Sequence, residues 1–263
     1  MTLRWSPGYA AVDANFDSVS LLLHGDGTNG STTIVDNSPS PKTVTAVGDA
    51  QISTAQSKFG GASIAFDGDG DNLTTPNNEG FSFGANDFTI EAWFYIAGNS
   101  NISSLTGTRF CDVIGTESNT TPLDNYKGWR LSVQGDSTTT GTGIVFIRRV
   151  GGGGSPTVLA YTGIVPQTEW HHVAVTRSAG SSLRIFLNGN VIASDLSFSG
   201  DVDSSGVPMK VGSRGSIVGL EGYLNGYIDD LRITKGVARY TSNFTPPTAP
   251  FPNLSPTTRL ALP

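Results

Sequence analysis

One cysteine in 263 residues, Cys111, leaves no partner for an internal disulfide and no thiolate set for a metal. As a lone thiol it reads as a small buried apolar residue. Basic residues are scarce, 16 against 22 acidic ones for a net charge of −6, and no basic run exceeds the pair Arg148 and Arg149. That excludes a surface built to track a phosphate backbone. No apolar stretch reaches the length of a membrane span, and the opening MTLRWSPGYAAVDANF lacks the apolar centre of an export signal. The expectation is a chain made in a cytoplasm, with neither leader nor span. Apolar residues do not recur at i, i+3, i+4 and i+7 in a helix-favouring composition, so one or two short helical turns are the most it would hold. No internal repeat is present.

The patterns of common catalytic sites are missing as well. No E-x-D-x-E run aims paired acids from one strand face into a cleft, as glycoside hydrolysis requires. Glu91 has Thr89 and Trp93 beside it on its face and no second acid. The segment GSRGS at 212–216 departs from the G-x-S-x-G nucleophile turn. His171 and His172 are adjacent, so on a strand they point to opposite faces and cannot easily share a metal, even with His24 as a third ligand. The chain reads as a non-enzyme.

What the sequence does hold is 33 glycines, 14 prolines and short runs of β-branched and aromatic residues between Gly, Asn, Asp and Ser clusters. That texture predicts one large all-β domain. In DFTIEAWFYI, Phe88, Ile90, Ala92, Phe94 and Ile96 fall on one face, and Thr89, Glu91, Trp93 and Tyr95 on the other. The segments WHHVAVTR and SLRIFLNGNVIAS form the clearest pair, with Asn188 and Gly189 supplying the positive φ angles of a two-residue hairpin turn. Trp170 reads as a large buried anchor at the start of its strand. Further strands are expected at 63–66, 129–133, 144–150, 158–161, 209–212 and 227–234. GGGGS at 151–155 reads as a hairpin tip.

Two glycine-rich stretches imitate binding loops. LLLHGDGTNG carries the G-x-G-x-x-G spacing of a dinucleotide cradle, but STTIVDNSPSP follows, and its β-branched residues and prolines oppose the helix such a cradle needs. Its glycines suit a tight loop at a strand end. DGDGDN at 67–72 starts like a calcium-binding EF-hand loop, yet Asn72 and Asn78 stand where Gly and Glu are required. It reads as a polar turn, with some calcium contact as the alternative.

SKFGGASIAFDGDGDNLTTP, FTIEAWFYI, WHHVAVTRSAGSSLRIFLNGNVIAS and GYIDDLRITKGVARY together resemble the laminin-G-like, concanavalin A-like lectin/glucanase jelly roll, in the form found in bacteriophage virion proteins. The resemblance covers roughly residues 19–250. It implies an all-β, two-sheet antiparallel jelly-roll sandwich, a frequent structural calcium, and carbohydrate or protein ligands. The resulting division is an N-terminal arm at 1–18, a laminin-G-like domain at 19–243 and a Pro-rich C-terminal arm at 244–263.

If Leu231 and Ile233 face the core, strict alternation puts Asp229 there too, where a carboxylate needs a cation or an arginine. Related jelly rolls hold calcium between an early loop and a late strand, and the corresponding donors here are Asp26, Asp36, Asn37 and Asp229. Glu91, Trp93 and Tyr95 on the outward face offer a glycan platform of flat rings beside polar groups. Half-buried aromatics on a sheet also serve packing. The expected function is a non-enzymatic virion structural protein, a capsid decoration or tail-associated module. Its expected activity is attachment to host-surface or environmental glycans. The arms, with Trp5, Phe16, Phe244, Phe251 and Leu260 as anchors, would join other virion proteins or sister subunits. The alternatives are a free carbohydrate-binding module or adhesin and, more weakly, a glycan-cleaving enzyme.

Overall fold

The alternation in DFTIEAWFYI becomes the central strand of one sheet of a two-sheet sandwich. The computed structural model of the chain describes residues 11–97, 110–116, 127–134, 143–150, 156–204, 206–213 and 222–257. In chain order the strands are β1 (Val19–Leu23), β2 (Thr45–Val47), β3 (Gln51–Ser53), β4 (Ser63–Asp67) and β5 (Asn72–Thr75). Next come β6 (Phe88–Ile96), β7 (Phe110–Gly115), β8 (Lys127–Gln134), β9 (Ile144–Val150) and β10 (Thr157–Tyr161). The last are β11 (Trp170–Ser178), β12 (Ser182–Leu187), β13 (Asn190–Asp195), β14 (Met209–Val211) and β15 (Asn225–Lys235). Two 3-10 turns, Phe16–Ser18 and Glu79–Phe81, are the named helical elements among the described residues.

Sheet A runs β13-β12-β11-β6-β15-β4-β3, with β1 also on β15, and sheet B runs β10-β9-β8-β7-β14-β5-β2, every pairing antiparallel. The chain crosses repeatedly between the sheets, as a jelly roll must, so their inner faces close over one core. Phe88, Ile90, Phe94, Leu131, Phe146, Ile185 and Ile228 meet there. Trp129 lies fully buried in it and keeps its indole N–H satisfied by donating to the Phe81 carbonyl at 2.8 Å. Cys111 is buried, as its isolation suggested. The Asn188–Gly189 turn has φ of 48° and 79°, which matches its hairpin role. Gly25 and Gly30 take φ of 75° and 83° in the loop leaving β1, and no helix follows. The GGGGS tip lies outside the described residues, but β9 and β10 on either side of it pair as a hairpin.

Strand β15 departs from simple alternation. Its first half pairs with β4 and its second half with β1, and its register on β6 shifts between Asp229 and Arg232. Asp230 sits in this bulge at φ 50°. The extra residue resets the parity, so Ile228, Leu231 and Ile233 all face the core while Asp229 stands opposite Trp93 on the outer face. Asp229 is therefore buried outside the inter-sheet core, which corrects the placement expected from strict alternation.

The described parts of both arms lie on sheet A of their own chain. Phe16 and Phe251 pack with Val19 and Leu22 in a second cluster, and the Asp13 amide donates to the Leu254 carbonyl. The Phe244 amide donates to the Gly189 carbonyl at the hairpin turn. These rings, expected as anchors for a neighbour, are thus lodged in the same chain, because the outer face of sheet A offers them a nearby apolar and cationic seat. Trp5 and Leu260 lie outside the described residues.

Candidate functional site

The outer face of sheet A is built in rows that run across β11, β6 and β15. The first three rows are Thr176–Thr89–Thr234, Ala174–Glu91–Arg232 and His172–Trp93–Asp229, and the fourth is Trp170–Tyr95–Tyr227. Their fates differ, because residues 237–251 return as a strap over the first three. The Thr89 hydroxyl donates to the Val237 carbonyl, and the Thr176 hydroxyl to the Tyr240 carbonyl. Tyr240 and Phe244 stack at 3.6 Å, and Phe244 packs edge-on to His172 and Phe186. The Phe251 ring receives the Arg232 guanidinium at 3.8 Å.

Beneath the strap, Glu91 is fully buried and its oxygens are occupied. Arg232 donates to Oε1 through Nε at 2.9 Å and Nη2 at 2.7 Å, and the Tyr240 hydroxyl donates to Oε2 at 2.8 Å. His172 Nε2 lies 3.3 Å from Oε2. Burial alone pushes this carboxyl up, but the charges and hydrogen bonds of Arg232, His172 and Arg239 outweigh it and hold the group at about 2. Arg232 and Arg239 also clamp Asp13 from the N-terminal segment. Glu91 is thus a structural ion-pair centre and not part of an open platform, which corrects its expected role. Trp93 is also covered: the Lys58 ammonium stands 3.8 Å over its ring, and Phe59 packs edge-on at 6.0 Å.

The fourth row is different. Trp170, Tyr95 and Tyr227 are each half-buried, with ring centroids 5.6 and 5.7 Å apart. None of the three donates a side-chain hydrogen bond to another described residue. The row continues in register through Ala65 on β4 to Gln51 on β3, both half-buried. A cleft at that end is lined by Tyr227, Gln51, Ser53, Asn29, Asp49 and Asp67, among others. Of the expected platform, Tyr95 alone remains accessible. Its partners Trp170 and Tyr227 were not among the residues the sequence picked out for this face, and Trp170 is half-buried where a buried anchor was expected.

Of the expected metal donors, Asp36 and Asp229 are engaged by backbone amides, while Asp26 and Asn37 line one cavity. Asp36 accepts from the Leu22 and Ser38 amides through Oδ1, and from the Ser38 hydroxyl and Lys42 amide through Oδ2, which pins its loop to β1. Asp26 and Asn37 line a separate cavity with His24, Ile34, Ile52 and Asn253. Asp229 Oδ2 accepts from the Lys58 and Phe59 amides at 2.7 and 3.0 Å, while its buried Oδ1 has no partner among the described residues. Burial, with Asp230 and Asp26 nearby, raises this carboxyl to about 7 against the pull of the two amides. Asp230 is engaged by His24 at 2.5 Å and by the Phe251 amide at 2.6 Å. Among the described residues no three His, Cys, Asp or Glu side chains converge as a metal-binding group. In the 67–72 turn, Asp71 accepts from the Asp49 and Asp67 amides, so that segment acts as a polar strand connection. No helix among the described residues is long and apolar enough to cross a membrane.

Residues 67–239 match the family model Laminin_G_3, described as the Concanavalin A-like lectin/glucanases superfamily. No curated protein sequence matches the chain. Among solved structures it is similar to the binding domain of Paraclostridial Mosquitocidal Protein 1, at 18% identity over 84% of this chain and 50% of that one, TM-score 0.57. It is also similar to the receptor binding domain of botulinum neurotoxin C/D mosaic serotype, at 17% identity over 85% and 49%, TM-score 0.56. A third is the binding domain of botulinum neurotoxin DC in complex with SialylT, at 17% identity over 84% and 49%, TM-score 0.56. The chain spans about half the length of these structures.

Proposed function

From a chain that belongs to the Concanavalin A-like lectin/glucanases superfamily, we propose a non-enzymatic glycan-binding domain whose site is the Trp170–Tyr95–Tyr227 row. The observation that carries it is the survival of three half-exposed aromatic rings on adjacent strands, beside rows covered by the chain's own strap and by Lys58 and Phe59. Apolar ring faces of sugars pack on such side chains, and the free hydroxyls of Tyr95 and Tyr227 supply hydrogen bonds at the same surface. A binding role rather than a hydrolytic one is supported by Glu91, whose oxygens are consumed by Arg232 and Tyr240 under the strap. The similar toxin domains are binding domains by name, one of them in complex with SialylT, and this adds support. The setting we assign is a virion surface, as a capsid decoration or tail-associated module. It rests on the likeness of segments such as WHHVAVTRSAGSSLRIFLNGNVIAS to phage virion proteins.

A glycan array probed with the whole chain tests the site. Binding should appear and fall by about tenfold or more in Trp170→Ala and Tyr95→Ala, the scale of one lost aromatic stacking contact. Both variants should melt like the wild type. Undiminished binding by both variants would place any glycan site elsewhere.

A further inference from the structure

We infer that the ligand of the Trp170–Tyr95–Tyr227 row is an uncharged or amine-bearing oligosaccharide lying across the strands and running toward Gln51. This rests on the glycan-binding reading above and adds to it the direction and the charge class of the ligand.

Direction follows from what covers the sheet. A chain lying along β6 from Tyr95 would meet Trp93 under Lys58 and then Glu91 under Tyr240, so that path is blocked by the protein itself. Across the strands no described residue comparably covers the row: Trp170, Tyr95, Tyr227, Ala65 and Gln51 stand in register and are all half-buried. Four inter-strand steps of about 4.8 Å make a track of about 19 Å, long enough for several linked sugar rings. Ala65 in mid-row keeps the track low between Tyr227 and Gln51. The ring planes are tilted by 57° and 76°, so the aromatic end is corrugated and would seat a chain ring by ring.

Charge follows from the far end of the row. Asp49, Asp67 and Asp71 line the cleft beside Gln51, and none of its described lining residues is basic. The acids do not make the site; the aromatic row does, and the acids set the sign of the field along it. Asp71 shows the crowding, since burial raises its carboxyl and the neighbouring Asp67 and Asp49 carboxylates add to the rise. Lys58, whose ammonium stands over the adjacent row, is committed to the Trp93 ring. Glycans bearing carboxylates or sulfates are repelled there, and neutral or amino sugars are not.

The test titrates tryptophan fluorescence of the full chain with three probes: N-acetylated chitopentaose, fully deacetylated chitopentaose and pentagalacturonate. The first two should bind, and pentagalacturonate should bind about tenfold or more weakly at low salt, the gap closing as salt screens the acids. Asp67→Asn should narrow the gap between the amine and carboxylate pentamers. Gln51→Ala should weaken both chitopentaoses several-fold while leaving a disaccharide unaffected; equal loss for both lengths, or none, overturns the direction. Pentagalacturonate binding as tightly as the neutral pentamer, and lost in Tyr95→Ala or Trp170→Ala, overturns the charge class while the glycan site stands. If no pentamer binds and neither aromatic variant changes the titration, the glycan site falls and the inference with it.

Discussion

Replacing Asp229 by asparagine should stabilise the protein, and by an amount that grows with pH. The carboxyl is buried with Oδ1 unpartnered and Oδ2 held by two backbone amides, and it titrates at about 7 where an unfolded aspartate titrates near 3.8. Between those values the folded chain binds the extra proton and the unfolded chain does not, so stability falls as pH rises. The full penalty is in place above about 7. The gap is worth up to about 4 kcal/mol. Asparagine retains an oxygen for the Lys58 and Phe59 amides and removes the charge, but its own N–H groups then need partners, which cuts the gain to about 2 kcal/mol. Urea denaturation of wild type and variant from pH 4 to pH 8 measures this directly. The expected result is little difference at pH 4 and a more stable variant at pH 8. A difference that is flat with pH would refute the assignment of the penalty to this carboxyl. Repeating the pH 8 arm with calcium and with chelator tests the cation expected from the sequence: a variant less stable than wild type only in calcium would mean that an ion, not a proton, satisfies Asp229.

Glu91 should act in the opposite sense. Held at about 2 against an ordinary 4.5, it contributes up to about 3 kcal/mol that is complete above pH 4.5 and lost as pH falls toward 2, so acid unfolding of Glu91→Gln should be markedly flatter. Arg232→Met should destabilise by about 3–5 kcal/mol in thermal or urea melts, because it leaves a buried carboxylate without its main partner. Adding Glu91→Gln to it should recover much of that loss, and a purely additive double variant would show that the two groups are not coupled. Gly189→Ala should cost more than a turn substitution usually does, since φ is 79° and a Cβ would meet the Phe244 carbonyl oxygen. Faster amide exchange at Phe244, read by hydrogen exchange, would show that the strap has been lifted.

Short-range patterns in the sequence were good guides wherever a strand obeys its own alternation. Phe88 to Ile96 and the Asn188–Gly189 hairpin appear where the residues put them, as local propensity and turn chemistry agree there with the sheet. The strands Thr45–Val47 and Gln51–Ser53 are too short to display a period, and Asn72–Thr75 and Phe110–Gly115 carry polar residues that the neighbouring strands tolerate. Asp229 was misplaced because its bulge is made by an aspartate at positive φ, with no glycine or proline to mark it. The candidate site was legible in one residue of three. Tyr95 is accessible, but nothing in TIEAWFYI says that Tyr240 returns to cover Glu91, and Trp170 and Tyr227 join Tyr95 only once the order β11-β6-β15 is known. A row across strands is a property of pairing, and pairing is not local.

The clamp of Asp13 on Arg232 and Arg239 joins positions 219 and 226 residues apart. Such a contact closes one of the longest loops among the described residues, and a loop of that length is costly in chain entropy to close. A contact of such separation is expected to form after the transition state, so Asp13→Asn should leave the refolding rate nearly unchanged and speed unfolding, as stopped-flow chevrons would read. On that expectation the segment around Asp13 and the strap that follows β15, meeting over one sheet, act as a kinetic latch that lengthens the life of the folded state against proteases and heat beyond what the equilibrium stability of the sandwich alone would give.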